Sequence, residues 1–181
     1  AGGNATISGT LTGNITTPTT YTYTLISTGG SCPDTKTGTI TVNPDGEITL
    51  LNGIQNQTLC EDTAITPIEF SLAGGATSSS IIWDVTPTGL SYNTTTHTLT
   101  GSPTGLANQT AYTYTITTAG SGCTAGTISG TITVDPLDEL AINVPATQRQ
   151  TVCAGDPIQN IVFTYGGEAS GSTISWDLDP G

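Results

Sequence analysis

The chain has 181 residues, of which 34% are hydrophobic and only 9% are charged. Its 14 acidic residues and two cations give a formal net charge of −12. This balance argues strongly against nucleic-acid binding, because no basic patch is available to neutralise phosphates. It also argues against anionic membrane surfaces, and no apolar run approaches the ~18 residues of a membrane span. An acidic, lysine-poor and threonine-rich composition is typical of an extracellular surface protein that stays soluble through self-repulsion.

The chain repeats itself with a period of about 91 to 93 residues. The restated segments are 21–25 in 112–116, 38–44 in 130–136, 58–60 in 151–153, and 81–84 in 174–177. A fixed period marks an array of like units, and this one has the size of a small β-sandwich.

The period predicts one complete unit and parts of two others. We expect 1–44 to be the C-terminal half of one repeat, 45–136 to be a complete repeat, and 137–181 to be the N-terminal half of a third. Both ends then fall at the same point of the repeat, as in a window on a longer array. The joints at 43–46 and 135–139 are short and contain proline, which fixes φ and removes a donor. We therefore expect semi-rigid units in line.

Short alternating runs bounded by Gly, Pro, Asn and Asp predict strands, and no helical periodicity is present. In the complete unit these are 47–51 and 57–60 (a split first strand), 65–73, 80–85, 90–92, 96–100, 111–118 and 127–134. About seven strands in roughly 90 residues predict an all-β fold of tandem immunoglobulin-like β-sandwich repeats joined by the short proline-containing linkers.

Bulky aromatic residues at fixed places in the repeat are predicted to fill the core between two sheets. They are Phe70, Trp83, Tyr112, Tyr114 and Trp176. Trp83 lies in an apolar run, which favours a core position over a sugar-stacking platform. The composition also suits a disordered, glycosylated stalk, but such a stalk has no use for a tryptophan at a fixed place.

The four cysteines recur with the repeat: Cys32 matches Cys123, and Cys60 matches Cys153. This even count predicts disulfides in an extracellular protein, and the spacing does not suit zinc. The default pairing is Cys60–Cys123 within one unit, with Cys32 and Cys153 paired outside the chain. A topology that placed Cys60 and Cys123 at opposite ends of the sandwich would forbid it. Two alternatives remain: Cys32–Cys60 with Cys123–Cys153, or every cysteine paired with a neighbouring repeat that is partly missing.

Paired carboxylates occur at Glu61-Asp62 and at Asp138-Glu139. They fall in predicted turns and joints, so we interpret them as solvated turn residues. Calcium at the joints is a further prediction, with Glu61, Asp62, Asp138 and Glu139 as the candidate ligands. We predict no catalytic and no cofactor-binding residue, since no Gly-x-Ser-x-Gly elbow is present. His97 is predicted to be a solvent-facing strand residue.

A longer pattern carries a family resemblance. The segments 88–93, 97–104 and 112–115, which read TGLSYN, HTLTGSPT and YTYT, resemble the immunoglobulin-like and cadherin-like repeats of bacterial surface proteins. With Cys60, Cys123 and Gly-Thr-Ile-Thr-Val before each joint, the array is similar to the giant SprB-type adhesins of gliding bacteria, which the type IX secretion system exports. The resemblance covers essentially the whole chain.

The resemblance implies a β-sandwich fold, a place on the cell surface, and no catalytic residue. It also implies a glycosylation candidate at Thr63, because Asp62-Thr63-Ala64 resembles the tripeptide at which gliding bacteria attach O-linked glycans.

Together these observations predict a non-enzymatic segment of a long extracellular adhesin filament, a stiff spacer or adhesive module in surface attachment or gliding motility. The expected partners are neighbouring repeats of the same chain and an external surface, polysaccharide or secretion and motility machinery. Nucleic acid and membrane insertion are not expected, nor is any cofactor other than calcium. Two alternatives are a carbohydrate-binding accessory module of a secreted polysaccharide-degrading enzyme, which needs exposed aromatics in a row, and a surface-layer structural array.

Overall fold

A computed structural model describes residues 2–120 and 123–178. In these ranges the chain is all-β, with one short 3-10 turn at Pro145–Thr147 and no α-helix. The strands are β1 Thr19–Ile26, β2 Thr35–Val42, β3 Gly46–Asn52, β4 Gln57–Cys60, β5 Ile68–Gly74, β6 Ser78–Trp83, β7 Leu90–Asn93, β8 Thr98–Gly101, β9 Thr110–Ala119, β10 Thr127–Asp135, β11 Glu139–Ile142 and β12 Phe163–Gly166. No helix within the described ranges is long and apolar enough to cross a membrane.

Strands β3 to β10 form a sandwich of two four-stranded sheets, which confirms the predicted fold class. One sheet has the order β3-β5-β8-β7 and the other the order β4-β10-β9-β6. Neighbouring strands are antiparallel except for β4 and β10, which run parallel. The unit is entered through β3 and left through β10, so the two joints lie at opposite ends of the sandwich.

The first strand is split, and its two parts belong to different sheets. Gly53 makes the crossing at φ +91°, a conformation that side-chain-bearing residues rarely adopt. The Gln57 side-chain amide then donates to the carbonyl oxygens of Ile54 at 2.9 Å and Thr66 at 2.8 Å. Its oxygen accepts from the Thr66 amide at 2.8 Å. One side chain thus ties the crossing and the segment before β5 to β4, an arrangement that we call a bracket.

The core lies between the two sheets and takes side chains from both. The buried hydrophobic residues are Ile48, Ile65, Ile68, Phe70, Leu99, Tyr112, Tyr114, Ile116, Ile132 and Val134. Phe70 and Tyr114 meet edge to face across the sheets at 6.3 Å, and Trp83 packs half-buried on Tyr114 at 5.5 Å. Alternate residues of β9 point inward, which explains the tyrosine alternation in the sequence.

Trp176 departs from its predicted core position, because its side chain is 59% exposed. In the described part of the third unit the only ladder is β11 with β12, and no second sheet covers the indole.

Local structures recur at repeat-equivalent positions. Tyr23 faces Gly38 across the β1–β2 ladder, as Tyr114 faces Gly130 across β9–β10. In the third unit Gln150 repeats the bracket of Gln57, with hydrogen bonds of 2.7 to 2.9 Å to Thr147 and Gln159. The sequence repeat is therefore also a repeat of tertiary detail.

The β7–β8 hairpin turns at the predicted place, but His97 differs from its prediction. The Asn93 side chain accepts from the amides of Thr95 at 2.8 Å and Thr96 at 3.1 Å, an Asx turn. His97 lies in the turn with φ +53°, not on the strand. Its ring is half-buried, and Nδ1 lies 2.9 Å from the Ser79 hydroxyl, so it does not face solvent.

Candidate functional site

At the end of the sandwich where the chain enters, residues that precede β10 form hydrogen bonds to the joint. The Gly46 amide donates to the Thr124 carbonyl at 2.8 Å, and the Asp45 carboxylate accepts from the Thr124 amide at 3.0 Å. The Cys123 thiol donates to the Asn43 carbonyl at 3.3 Å. The loop after β9 and the entering joint are thereby fixed to each other.

The C-terminal end holds the leaving joint through the residues after β4. Cys60 is the register partner of Asp135 at the last rung of the β4–β10 ladder, and the Glu61 amide donates to the Asp135 carbonyl at 2.8 Å. The Glu61 carboxylate accepts from the backbone amides of Leu106, at 2.9 Å, and Gly105. The bond from Leu106, then that from Gly105, lowers the pKa of this carboxyl against a partial desolvation that raises it.

The same end contacts the segment that follows. The Gln109 backbone amide donates to the Glu168 carboxylate at 3.1 Å, and the Gln109 side-chain amide donates to the Asp135 carboxylate at 2.5 Å. Cys60, Asp135, Asp138 and Glu168 are among the residues that line a shallow hollow beside Pro136 and Leu137. The joint is therefore hydrogen-bonded to the complete unit at Asp135, and the Gln109–Glu168 bond links the two segments that it connects.

The predicted calcium ligands do not assemble into a site. Glu61 is engaged with backbone amides, Asp62 forms a tight turn with φ +62°, and Glu139 lies on β11 opposite Gly166. Among the described residues no three His, Cys, Asp or Glu side chains gather where they could hold a metal ion. Calcium at Glu61, Asp62, Asp138 and Glu139 therefore has no support from the geometry.

The predicted Cys60–Cys123 disulfide is incompatible with the strand directions. Cys60 pairs with the last residue of β10, whereas Cys123 precedes the first residue of that strand. Eight residue steps at about 3.3 Å separate these levels by roughly 26 Å, and a disulfide needs about 6 Å between Cα atoms. Cys32 lies between β1 and β2, and Cys153 precedes a turn that repeats the one after Cys60.

One serine–histidine contact has the composition of a catalytic pair but not its setting. The Ser79 hydroxyl is shared between His97 Nδ1 at 2.9 Å and the Tyr92 hydroxyl at 2.6 Å. Ser79 is only 6% exposed, so a substrate does not reach its oxygen. Burial raises the pKa of the Tyr92 hydroxyl, although its bond to Ser79 acts in the opposite sense. The cluster ties the β7–β8 hairpin to β6 across the sandwich.

Thr63, the glycosylation candidate, is exposed in the turn after β4, and its amide donates to the Cys60 carbonyl at 3.2 Å. A hydroxyl in this position is accessible to a modifying enzyme without unfolding of the sandwich.

Comparison with known proteins gives only distant likenesses. No family model and no curated protein matches the chain. Similar solved structures include the protocadherin gammaB7 EC3-6 cis-dimer, at 17% identity and a TM-score of 0.43, covering 83% of this chain and 43% of that one. Protocadherin gamma B2 extracellular cadherin domains 3-6 are 15% identical with a TM-score of 0.42, over 83% and 43% of the two chains. This chain spans less than half the length of either structure, and likenesses at this level carry no conclusion about function.

Proposed function

We propose that this chain is a run of repeats in a long extracellular adhesin filament, acting as a stiff spacer and adhesive module. The observation that carries the proposal is that the complete unit is hydrogen-bonded to both of its joints, at the equivalent positions Asn43 and Asp135 of the repeat. A chain built in this way keeps successive sandwiches in line and projects its end away from its base.

The topology suits a unit that is pulled from its ends. Tension enters near Gly46 and leaves near Asp135, at opposite ends of the sandwich. Strands β4 and β10 are parallel neighbours over four register pairs, so this tension loads their hydrogen bonds in shear. Bonds loaded in shear break together rather than one after another, so the unit resists extension until the whole ladder fails.

The surface suits a filament that stays separate from its neighbours. The net charge is −12, and the one ion pair of the described residues joins Lys36 to Asp34 at 3.1 Å, fully on the surface. Such an exposed pair contributes little to stability. Excess negative charge instead repels like filaments and keeps them soluble.

Attachment or gliding motility on the cell surface, and export by type IX secretion, belong to the proposal through the sequence resemblance alone. The partners would be the neighbouring repeats and an external surface or polysaccharide. Catalysis is not part of the proposed function.

Adhesion is tested with beads that carry the full chain through a terminal tag, placed on glass or on an immobilised polysaccharide under flow. The expected result is retention at shear stresses that remove beads carrying an unrelated β-sandwich of equal charge. Equal detachment of the two bead types on every surface would contradict an adhesive role and leave only the spacer.

A further inference from the structure

Each cysteine of the complete unit lies beside a different joint. Cys60 is the ladder partner of Asp135, where the chain leaves the sandwich. Cys123 contacts the carbonyl of Asn43, where the chain enters it, at 3.3 Å. Asn43 and Asp135 are the same position of the repeat, because 38–44 is restated in 130–136.

At this repeat position the backbone carbonyl oxygen is the hydrogen-bond acceptor in both joints. The Asp135 carbonyl oxygen accepts from the Glu61 amide, at the corner that follows Cys60. The equivalent carbonyl oxygen, of Asn43, accepts from the thiol of Cys123 in the following unit. When the two joints are compared as one position of the repeat, a cysteine of the Cys60 type and one of the Cys123 type lie next to the same residue.

Both cysteine types thus lie next to the same residue of the joint, which is the proximity that a disulfide across the joint requires. Parallel ladder neighbours lie about 4.8 Å apart, and the second thiol is in hydrogen-bond contact with the shared residue. A disulfide requires about 6 Å between Cα atoms. The other pairings fail: Cys60 and Cys123 lie at opposite ends of β10, and Cys32–Cys60 or Cys123–Cys153 would join cysteines separated by a whole sandwich.

We propose that the repeats are stapled across their joints by disulfides, each linking the Cys60-type cysteine of one unit to the Cys123-type cysteine of the next. The inference rests on the array of the proposed function, but not on adhesion. First, the thiolate of one cysteine attacks a protein or small-molecule disulfide; a mixed disulfide forms, and the other half of the oxidant leaves as a thiol. The second cysteine then displaces the remaining thiol from the mixed disulfide. Two thiols lose two protons and two electrons in all, and the oxidant is reduced to two thiols.

The test uses the full chain lengthened at its C-terminus by a copy of its own residues 90–136. This addition completes the third unit and supplies a second copy of Cys123 beyond the joint at Asp135. The lengthened chain is refolded with oxidised glutathione, alkylated, and digested with pepsin at acidic pH, where thiolates are too few to exchange.

The expected product is a peptide pair that joins Cys60 to the added cysteine, with the protein mass lower by two hydrogens. Cys60→Ser abolishes this product, whereas Cys153→Ser and replacement of the original Cys123 by serine leave it in place. The unlengthened chain forms no disulfide at Cys60. An added cysteine that remains alkylatable in a folded third unit, or a bridge from Cys60 to any other cysteine, would overturn the inference.

Burial of Trp176, read from a blue shift of its fluorescence against the unlengthened chain, reports whether the third unit has folded. If the third unit has not folded, the disulfides of the native repeat protein are mapped instead, by peptide mass analysis without reduction. Peptides that link Cys60-type and Cys123-type cysteines of successive repeats support the staple, and free thiols or bridges within a repeat refute it. Bead retention is independent of this result, so failure of the staple and failure of the adhesive function are distinguished.

Discussion

Tyr114 and Gly130 face each other across the β9–β10 ladder, and the tyrosine ring occupies the space that a side chain at position 130 would need. The fully buried Tyr114 donates its hydroxyl to the Gln55 carbonyl at 2.9 Å. This bond fastens β9 to the crossing between β3 and β4. Because Tyr23 and Gly38 repeat the arrangement, the pair is a structural signature of the unit.

Replacement of Gly130 by alanine is expected to destabilise the complete unit. The new Cβ would lie 2.6 Å from the Gln55 carbonyl oxygen and equally close to the tyrosine ring, and the backbone oxygen has little room to move. Overpacking of this kind costs about 1 to 3 kcal/mol. Urea unfolding followed by tyrosine and tryptophan fluorescence measures the loss. Gly30→Ala is the control, since nothing lies within 4 Å of its Cβ. Equal midpoints for the two variants would contradict the packing described.

The stability of the unit is expected to fall at high pH through Tyr114. Burial raises the pKa of its hydroxyl from 10.0 to about 12. The fold favours the neutral form, so its contribution is complete below pH 10 and declines between pH 10 and 12. Tyr114→Phe removes this decline and costs about 1 kcal/mol at neutral pH, because the Gln55 carbonyl loses its donor. Urea midpoints at pH 8, 10 and 11 check the prediction, and an unchanged slope in the variant refutes it.

Acid is expected to weaken the C-terminal end of the unit through Glu61. Hydrogen bonds from Leu106 and then Gly105 lower the pKa of this carboxyl below 4.5, so its contribution is present above that pH and is lost as the pH falls through the lowered value. Glu61→Gln should flatten the stability profile between pH 5 and 3.

Asp84 is the comparison for that experiment. Its pKa is also lowered, by hydrogen bonds from the amides of Val85 and Thr113, so Asp84→Asn removes a different part of the same acid dependence. Amide exchange at Gly105 and Leu106 separates the two: the protection factor, which is corrected for the intrinsic pH dependence of exchange, should fall in acid for the parent and for Asp84→Asn alike. Protection there that is insensitive to pH would show that Glu61 does not hold this loop.

The strand crossing depends on Gln57. Gln57→Ala leaves the Thr66 amide and two carbonyl groups without their partner, and loss of such bonds costs about 1 to 3 kcal/mol. Thermal unfolding of the complete unit measures the change. Gln150→Ala is the matched control, because it removes the equivalent bracket from the third unit. If both variants shifted the same transition equally, the two brackets would not belong to separate units.

Much of the fold was accessible from sequence, because period-two alternation and a fixed repeat report local structure. The alternation of Tyr112 and Tyr114 indicated a strand with one buried face, and the break between 51 and 57 indicated a split strand. The Cys60–Cys123 prediction was wrong because pairing depends on strand direction: β4 runs parallel to β10, which sends the two cysteines to opposite ends.

The bonds that hold the joints were likewise hidden in the sequence. Glu61 reads as one of two turn carboxylates, yet its acceptor role depends on Gly105 and Leu106, more than 40 residues away along the chain. The sequence predicts His97 on a strand because no sequence signal indicates its positive φ. Both features arise from contacts between segments that only the folded topology brings together.

Resistance of the complete unit to tension between its two joints is measured by single-molecule extension of the full chain held by its termini. We predict one abrupt unfolding event for residues 45–136 that releases about 30 nm, at roughly 3.3 to 3.6 Å per residue. A proline at Thr133 in β10, next to Thr58 of β4, should lower the force of that event. Smooth extension without an abrupt event, in a chain whose fold is verified by circular dichroism, would contradict the account.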